Sequence, residues 1–166
     1  TAFQGFRDVA ADFPDVTIVA TEDDGGSDLE AAKKAAALMQ AHPDLAGFAG
    51  FDVGAGPGIS VAIREAGKEG EVKLVGNDLN SAQIKSLEEG TAQFVLGQRR
   101  GFFGYWGVMS LWLHHVTSVE FTENDEAAGI VNIPPRIVTG FLRANPENLE
   151  LYRSAYEEWD KPKNWR

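Results

Sequence analysis

The stretch Leu45–Gly58, LAGFAGFDVGAGPG, decides how the rest of the chain is interpreted. Its apolar first half, residues 45–51, has the length of a buried strand, and its small residues let helices pack closely on both faces. Asp52 follows at the carboxyl end of that strand, and a glycine-rich turn then leads into a helix. Ligands bind at this edge of open α/β sheets, because the loops leave a crevice into which helix amino termini point. The stretch therefore predicts a βα unit with a polar residue at a ligand-binding edge.

Similar βα units precede and follow this stretch, and together they predict an α/β fold with an open, mostly parallel sheet flanked by helices on both faces. The predicted strands are residues 16–20, 45–51, 72–76 and 92–98, and the predicted helices are residues 2–13, 27–41, 58–66, 81–88, 101–116 and 145–159. Ser27 marks a helix start, because a glutamate three residues later completes a capping box. Residues 130–139 contain two adjacent prolines and predict at best an edge strand.

The composition limits the possible partners and chemistry. A chain of 166 residues with 43% hydrophobic content can form one domain with a substantial core. Its formal net charge of −10 argues against binding to nucleic acid or to an anionic membrane surface, since both need clustered lysine and arginine. The absence of cysteine excludes disulfides and thiolate chemistry. The chain begins with Thr1, and we expect it to be a processed or truncated product.

Polar residues follow each of the predicted strands. The predicted ligand-binding residues at or near these strand exits are Asp24, Phe51, Asp52, Asn77, Asp78 and Gln98. Carboxylate and amide groups are well suited to hydroxyl groups, because carboxylates accept hydrogen bonds and amides both donate and accept them. The rings of Phe3 and Phe51 would stack on the apolar face of a sugar. Each Asp or Asn alone is as well explained by turn preference, and it is their convergence on one edge that favours a site.

Other motifs carry less weight, and the sequence predicts no catalytic residue, no metal site and no cofactor. The glycines of residues 54–58 do not match a dinucleotide-binding pattern, and no phosphate-binding lysine follows them. His114 and His115 are adjacent on a predicted helix, so their side chains point apart. Asp23 and Asp24 lack the regular spacing of a calcium loop.

Three segments, taken with their order and spacing, resemble a known family. They are GFRDVAADFPDVTIVA (residues 5–20), AHPDLAGFAGFD (41–52) and VKLVGNDLNSAQIKSLEEGTAQFVLGQ (72–98), followed by Gly104-Tyr105 in a helix. Over about residues 2–117 the chain resembles the carboxy-terminal lobe of type I periplasmic solute-binding proteins, the ribose-binding-like components of ABC sugar importers. Members have two α/β lobes joined by a hinge, and they bind a sugar in the cleft between the lobes.

The resemblance implies a division of the chain and roles for single residues. It implies a ligand-binding lobe at residues 1–99, a hinge crossing and apolar helix at 100–127, and a return segment with a terminal helix at 128–166. The Asn-Asp pair of the family matches Phe51-Asp52 here, the Asp after the third strand matches Asp78 (preceded by Asn77 instead of an aromatic residue), and the hinge-strand Gln matches Gln98.

The resemblance predicts non-catalytic binding of a sugar or sugar-like solute for ABC-type import, with a membrane permease as partner of the full-length protein. It implies a periplasmic location, or an extracellular, lipid-anchored one in a Gram-positive bacterium. Two alternatives stay open here. One is the effector-binding core of a LacI-type regulator, although residues 86–98 lack the P-x-L-T-T-V pattern of those cores. The other is a small α/β enzyme using Asp52 or Asp78, which lacks an accompanying nucleophile.

The predicted helix 101–116 is apolar on nearly every side. Such a helix needs burial on several faces, and the resemblance implies that the lobe covering it is missing. We therefore expect the chain to self-associate through this helix.

Overall fold

The computed structural model describes residues 1–116, 123, 127–129 and 136–153. Nine elements lie in these ranges: α1 Ala2–Ala10, α2 Asp28–Ala41, β1 Gly47–Ala49, α3 Ala55–Glu65, β2 Lys73–Asn77, α4 Ser81–Glu88, β3 Phe94–Gln98, α5 Arg100–Val116 and β4 Phe141–Ala144. The chain divides into two compact units. The first contains Thr1–Gly97 with the described residues from Arg143 on, and the second contains Gln98–Leu142.

The strands form one sheet in the order β1-β2-β3-β4. β1 and β2 are parallel with Ala49 opposite Val75, and β2 and β3 are parallel with Asn77 opposite Leu96. Parallel strands need helical crossovers, and α3 and α4 supply them. The predicted α/β fold with a mostly parallel sheet flanked by helices is therefore confirmed.

The hydrophobic core of the first unit joins the helices to the central strands. Alternate residues of β2 and β3 are buried, as expected for strands with covered faces. The core is formed by apolar side chains from α2, α3, β2, α4 and β3, among them Met39, Ile59, Ile63, Leu74, Leu87 and Val95. Within the described residues, no helix combines the length and the apolar character that crossing a membrane requires.

Helix α3 begins earlier than the predicted residue 58. The side chain of Asp52, two residues before the N-cap Gly54, accepts hydrogen bonds from the backbone N–H groups of Gly54 and Ala55, at 2.8 and 2.7 Å. It thereby binds two backbone donors at the start of the helix. The glycines then belong to the first turns of the helix. A Cβ on Gly58 would lie 2.1 Å from the carbonyl oxygen of Asp28, so glycine is what lets α2 and α3 approach so closely.

The predicted strand at residues 16–20 is wrong. These residues are described, but they form no strand. Val16 and Val19 are about half exposed, at 50% and 49%. β-branched residues favour strands because they pack against neighbours on a pleated surface, and this segment has no neighbouring strand within the described residues. The sequence pattern was typical of a strand, and the missing partner is what prevents one.

Other predicted boundaries differ near the chain ends. Helix α1 stops at Ala10 rather than at residue 13. Residues 136–140 are not a strand, and β4 follows them instead, while residues 130–135 of the predicted edge strand lie outside the described residues. Residues 149–153 are helical, and the rest of the predicted terminal helix also lies outside the described residues. The division at 1–99, 100–127 and 128–166 stays a prediction.

The contact at Gly58 gives a stability test. We expect Gly58→Ala to lower the free energy of unfolding by about 1–3 kcal/mol, because the new methyl group overpacks the α2–α3 contact. Gly5→Ala is the matched control, since Gly5 is also helical and a Cβ there meets no atom within 4 Å. The control should not destabilise the fold, because alanine is the better helix former. Urea unfolding of both variants measures the difference, and equal stabilities would contradict the close-packing argument.

Candidate ligand-binding site

The exit of β1 carries an aromatic group beside a carboxylate. Phe51 is 37% exposed, and its ring contacts the rings of Phe3 and Phe6 edge-on, with centroids 5.8 and 5.6 Å apart. Edge-to-face contacts fix the orientation of an aromatic ring while leaving part of its surface open. Asp52 follows directly, and its hydrogen bonds to the N–H groups at the start of α3 fix the carboxylate. A half-exposed aromatic face and a fixed acceptor therefore lie side by side.

The loop before α2 brings a second carboxylate to Asp52. Asp24 accepts a hydrogen bond from the backbone N–H of Gly26 at 2.9 Å, and Gly26 adopts a left-handed conformation. The carbonyl oxygen of Gly26 lies only 2.8 Å from the position that a Cβ on Gly54 would take. The two loops thus pack directly on one another, and the carboxyl groups of Asp24 and Asp52 are near enough to interact.

The surroundings of Asp24 favour the protonated form of its carboxyl group. The pKa of Asp24 is raised, first because the group is partly removed from water and also because the Asp52 carboxylate accepts its proton and repels its charge. The hydrogen bond from Gly26 opposes this rise. When Asp24 is protonated, its carboxyl group is a hydrogen-bond donor beside the acceptor oxygens of Asp52.

The exit of β2 contacts the exit of β1. The side chain of Asn77 donates a hydrogen bond from Nδ2 to the carbonyl oxygen of Phe51 at 3.4 Å. Asp78 is partly buried, has a φ of 65°, and donates its backbone N–H to the carbonyl of Leu96 at 2.7 Å. Aspartate tolerates this left-handed conformation better than most residues, and it turns the chain away from the sheet. Asn80 then caps α4 by accepting from the backbone N–H of Gln83 at 2.9 Å.

Gln98 ends β3 and belongs to the second compact unit. There it lines a groove of about 250 Å³ together with Phe103 and residues 136–141. The groove is more apolar than polar, and Gln98 is one of the few polar side chains that line it.

The comparisons with known proteins agree with this architecture. The sequence matches the family described as "Periplasmic binding protein domain" over residues 2–115. The chain belongs to this family. The predicted resemblance to periplasmic solute-binding proteins is therefore confirmed.

Solved structures of ABC-transporter binding proteins have the same fold. A sugar-binding protein of a sugar ABC transporter from Bacillus halodurans gives a TM-score of 0.76 at 25% identity, covering 88% of this chain and 49% of that one. A solute-binding protein of an ABC transporter from Agrobacterium vitis, bound with alpha-D-tagatopyranose, gives a TM-score of 0.77 at 28% identity, covering 96% of this chain and 49% of that one. An arabinose-binding protein from Geobacillus stearothermophilus gives a TM-score of 0.78 at 24% identity, covering 90% of this chain and 50% of that one. At this identity the similarity shows the fold alone. This chain spans about half the length of each.

The structure brings together several of the predicted site residues. Asp24 meets Asp52, and Asn77 meets Phe51. The sequence analysis missed the contact of Phe6 with Phe51, although Phe6 lies three residues after Phe3 on the same helix face. Among the described residues, no three His, Cys, Asp or Glu side chains cluster in a way that could hold a metal ion.

From the raised pKa of Asp24 we predict that the stability of this protein depends on pH. Because the pKa of Asp24 is raised on folding, the folded protein binds this proton more tightly than the unfolded chain does. This contribution to stability is therefore lost as the pH rises from the usual value of 3.8 through the raised pKa. We expect Asp24→Asn to remove that loss, since asparagine keeps the acceptor for Gly26 and does not ionise.

The measurement is the melting temperature from about pH 4 to about pH 7. The Asp24→Asn variant should gain stability relative to the wild type as the pH rises. Asp23→Asn is the matched control, because Asp23 accepts the equivalent backbone hydrogen bond from Gly25 at 2.9 Å. If the difference in melting temperature between Asp24→Asn and the wild type did not change with pH, the raised pKa of Asp24 would be contradicted.

Proposed function

We propose that this chain is one lobe of a two-lobe receptor that binds a sugar or sugar-like solute for ABC-type import. The observation that carries the proposal is the Asp24–Asp52 carboxyl pair beside the half-exposed ring of Phe51. Sugars present hydroxyl groups around a ring whose faces are partly apolar. A pair of carboxyl groups can form hydrogen bonds with the hydroxyls, and an aromatic ring can pack against the apolar face.

Further residues of the site would complete the recognition of hydroxyl groups. Asn77 ends β2 and donates a hydrogen bond to the carbonyl of Phe51, and Asp78 follows it, so the two would add an amide and a carboxylate to the same edge. Ligands bind at this edge in open α/β sheets. Gln98, predicted as the hinge-strand glutamine, is proposed as a further ligand-binding residue.

The comparisons support import over the alternative functions. The similar proteins from B. halodurans and A. vitis are described as binding proteins of ABC transporters, one as sugar-binding and one with a bound ketose. This favours import over the LacI-type regulator. The proposed role is also non-catalytic, since the sequence has no cysteine and no nucleophile motif to accompany the carboxylates.

The proposal includes a location and a partner. A receptor of this kind works outside the cytoplasmic membrane, in the periplasm or anchored by a lipid at the surface of a Gram-positive cell. Closure of two lobes around a solute would create the surface that the membrane permease recognises. One lobe supplies only part of the contacts with the solute, so we expect weak sugar affinity from this chain alone.

The test is a thermal-shift screen of the full-length protein against pentoses, hexoses, deoxysugars and polyols. A ligand that binds only the folded state raises the melting temperature by mass action. We expect at least one sugar to do so, and Asp52→Asn to weaken its binding about tenfold, because a charge-assisted hydrogen bond becomes a neutral one. Asp15→Asn in the exposed turn after α1 is the control. No shift with any compound would contradict sugar binding.

We also propose that this chain self-associates through helix α5, the predicted segment 101–116. None of its side chains is buried, and its aromatic and aliphatic residues are largely exposed, including Phe103, Tyr105, Val108, Leu111, Trp112 and Val116. Contiguous exposed apolar surface of this kind is typical of an interaction surface. A second copy of the chain presents the same helix, and two such faces can cover each other by two-fold symmetry.

Light scattering over a micromolar concentration range tests this association. We expect the 166-residue chain to form dimers or larger species, and the double variant Val108→Glu/Leu111→Glu to be monomeric, because charges would be buried in the interface. Leu29→Glu is the matched control, since Leu29 is 61% exposed on α2, against 73% for Leu111 on α5. A wild-type chain that stays monomeric throughout the range would contradict the proposal.

A further inference from the structure

Strands β1 and β2 separate at the edge that carries the candidate site. The last described backbone bond between them runs from the N–H of Gly50 to the carbonyl of Val75, at 2.9 Å. Beyond this point side-chain amides bind the exposed carbonyls. Asn77 accepts at its carbonyl from Nε2 of Gln83 at 3.2 Å, and Phe51 accepts from Nδ2 of Asn77 at 3.4 Å. Two carboxamides thus take the positions of the ladder bonds that the diverging strands no longer make.

The carboxamide of Gln83 lies in a slot formed by two glycines. Gln83 is fully buried in the first turn of α4. A Cβ on Gly56 would lie 1.9 Å from its Nε2, and a Cβ on Gly76 would lie 2.6 Å from its Oε1. Because Gln83 has no exposed surface into which it could move, a side chain at either glycine would displace the carboxamide. Gly56 in α3 and Gly76 in β2 are therefore complementary to Gln83 in shape.

This arrangement is not the most stable way to fill the slot. The Oε1 atom of Gln83 has no hydrogen-bond partner among the described residues. A buried polar atom without a partner lowers stability, and an apolar side chain of the same length would fill the space without that loss. The effect of Gln83 that an apolar residue could not reproduce is its hydrogen bond to the carbonyl of Asn77.

We propose that Gln83 is a positioning residue of the ligand-binding site. Its carboxamide, held between Gly56 and Gly76, fixes the exit of β2. The side chain of Asn77 in turn binds the carbonyl of Phe51, and this bond holds the exit of β1. The ring of Phe51 and the carboxylate of Asp52 are thereby positioned. The inference rests on the proposed function for its meaning in binding, and it concerns a residue that need not contact the ligand.

The primary test is Gln83→Met in the full-length protein, with sugar affinity from calorimetry and the melting temperature measured together. Methionine keeps the length of the side chain and removes the hydrogen-bond donor. We expect the Kd to rise about fivefold, the effect of one hydrogen bond, with little change in melting temperature. Leu87→Val is the control, because Leu87 is buried one turn further along α4. This variant should lower the melting temperature and leave the Kd unchanged.

A pair of glycine variants tests the slot itself. Gly76→Ala should displace the Gln83 carboxamide and raise the Kd as Gln83→Met does. In a Gln83→Ala background the same substitution should have no further effect on the Kd, because the clashing group is gone. Equal and additive effects of the two substitutions would overturn the steric part of the proposal.

A readout without ligand separates this inference from the proposed function. Amide hydrogen exchange of residues 50–52 and 78 should be faster in Gln83→Met than in the wild type, because the exits of both strands lose their shared constraint. The positioning role would be overturned if Gln83→Met left these exchange rates unchanged. It would also be overturned if Gln83→Met left the Kd unchanged while Asp52→Asn weakened sugar binding. A wild-type protein that binds no sugar would overturn the proposed function, and the exchange rates alone would then decide the role of Gln83.

Discussion

The pair of hydrogen bonds that Asp52 accepts at the start of helix α3 is the interaction on which the rest of the structure depends. One carboxylate oxygen accepts two backbone N–H groups, at Gly54 and Ala55, and so fixes where the helix begins. The start of α3 in turn sets its crossing with α2, where Gly58 allows backbone contact with Asp28. Because these bonds use Oδ1, the same carboxyl group can also meet Asp24. A single residue therefore joins the strand exit, the helix start and the candidate site.

The surfaces that lack partners follow from the same organisation. Helix α1 buries none of its residues, although its apolar positions recur at helical spacing, and residues 16–20 pair with no strand in the part of the chain that the structure describes. In the second unit, α5 also buries none of its side chains. Amphipathic and apolar elements gain most of their stability from packing, and here the chain spans about half the length of similar structures. The exposed faces are consistent with a lobe that packs against further protein.

Much of the fold could be predicted from the sequence, because local signals agreed with the tertiary structure. The start of α2 at Ser27 and the extent of α4 follow from capping residues and glycine, which act within a few residues. The strand at residues 16–20 could not be predicted correctly, since strand formation depends on a neighbour that the local pattern does not contain. The start of α3 was predicted late for a similar reason, because glycine suggested a turn, whereas the close contact with α2 requires glycine within the helix.

The candidate site was only partly predictable, and the reason is physical. That Asp24, Asp52 and Asn77 would come to one edge could be predicted, because polar residues at the strand exits of a parallel sheet meet there. That Asp24 would pair with Asp52 depends on how the Gly26 backbone packs on Gly54, which no spacing in the sequence reveals. The slot around Gln83 could not be predicted for the same reason, because it depends on how Gly56 of α3 and Gly76 of β2 pack against α4.

Several features that lower stability lie at this edge of the sheet. A carboxyl pair that repels when both groups ionise, an aspartate with left-handed backbone at position 78, a half-exposed Phe51 and a buried amide oxygen on Gln83 all lie at or near the exits of β1 and β2. Two further departures lie elsewhere in the first unit, where the buried hydroxyls of Ser60 and Thr91 have no hydrogen-bond partner among the described residues. Local departures from stable packing persist where the surrounding structure holds them in place, and they cluster at functional sites. The departures at the exits of β1 and β2 therefore support the proposal of a binding site there, together with the polar groups and the aromatic ring that these exits carry.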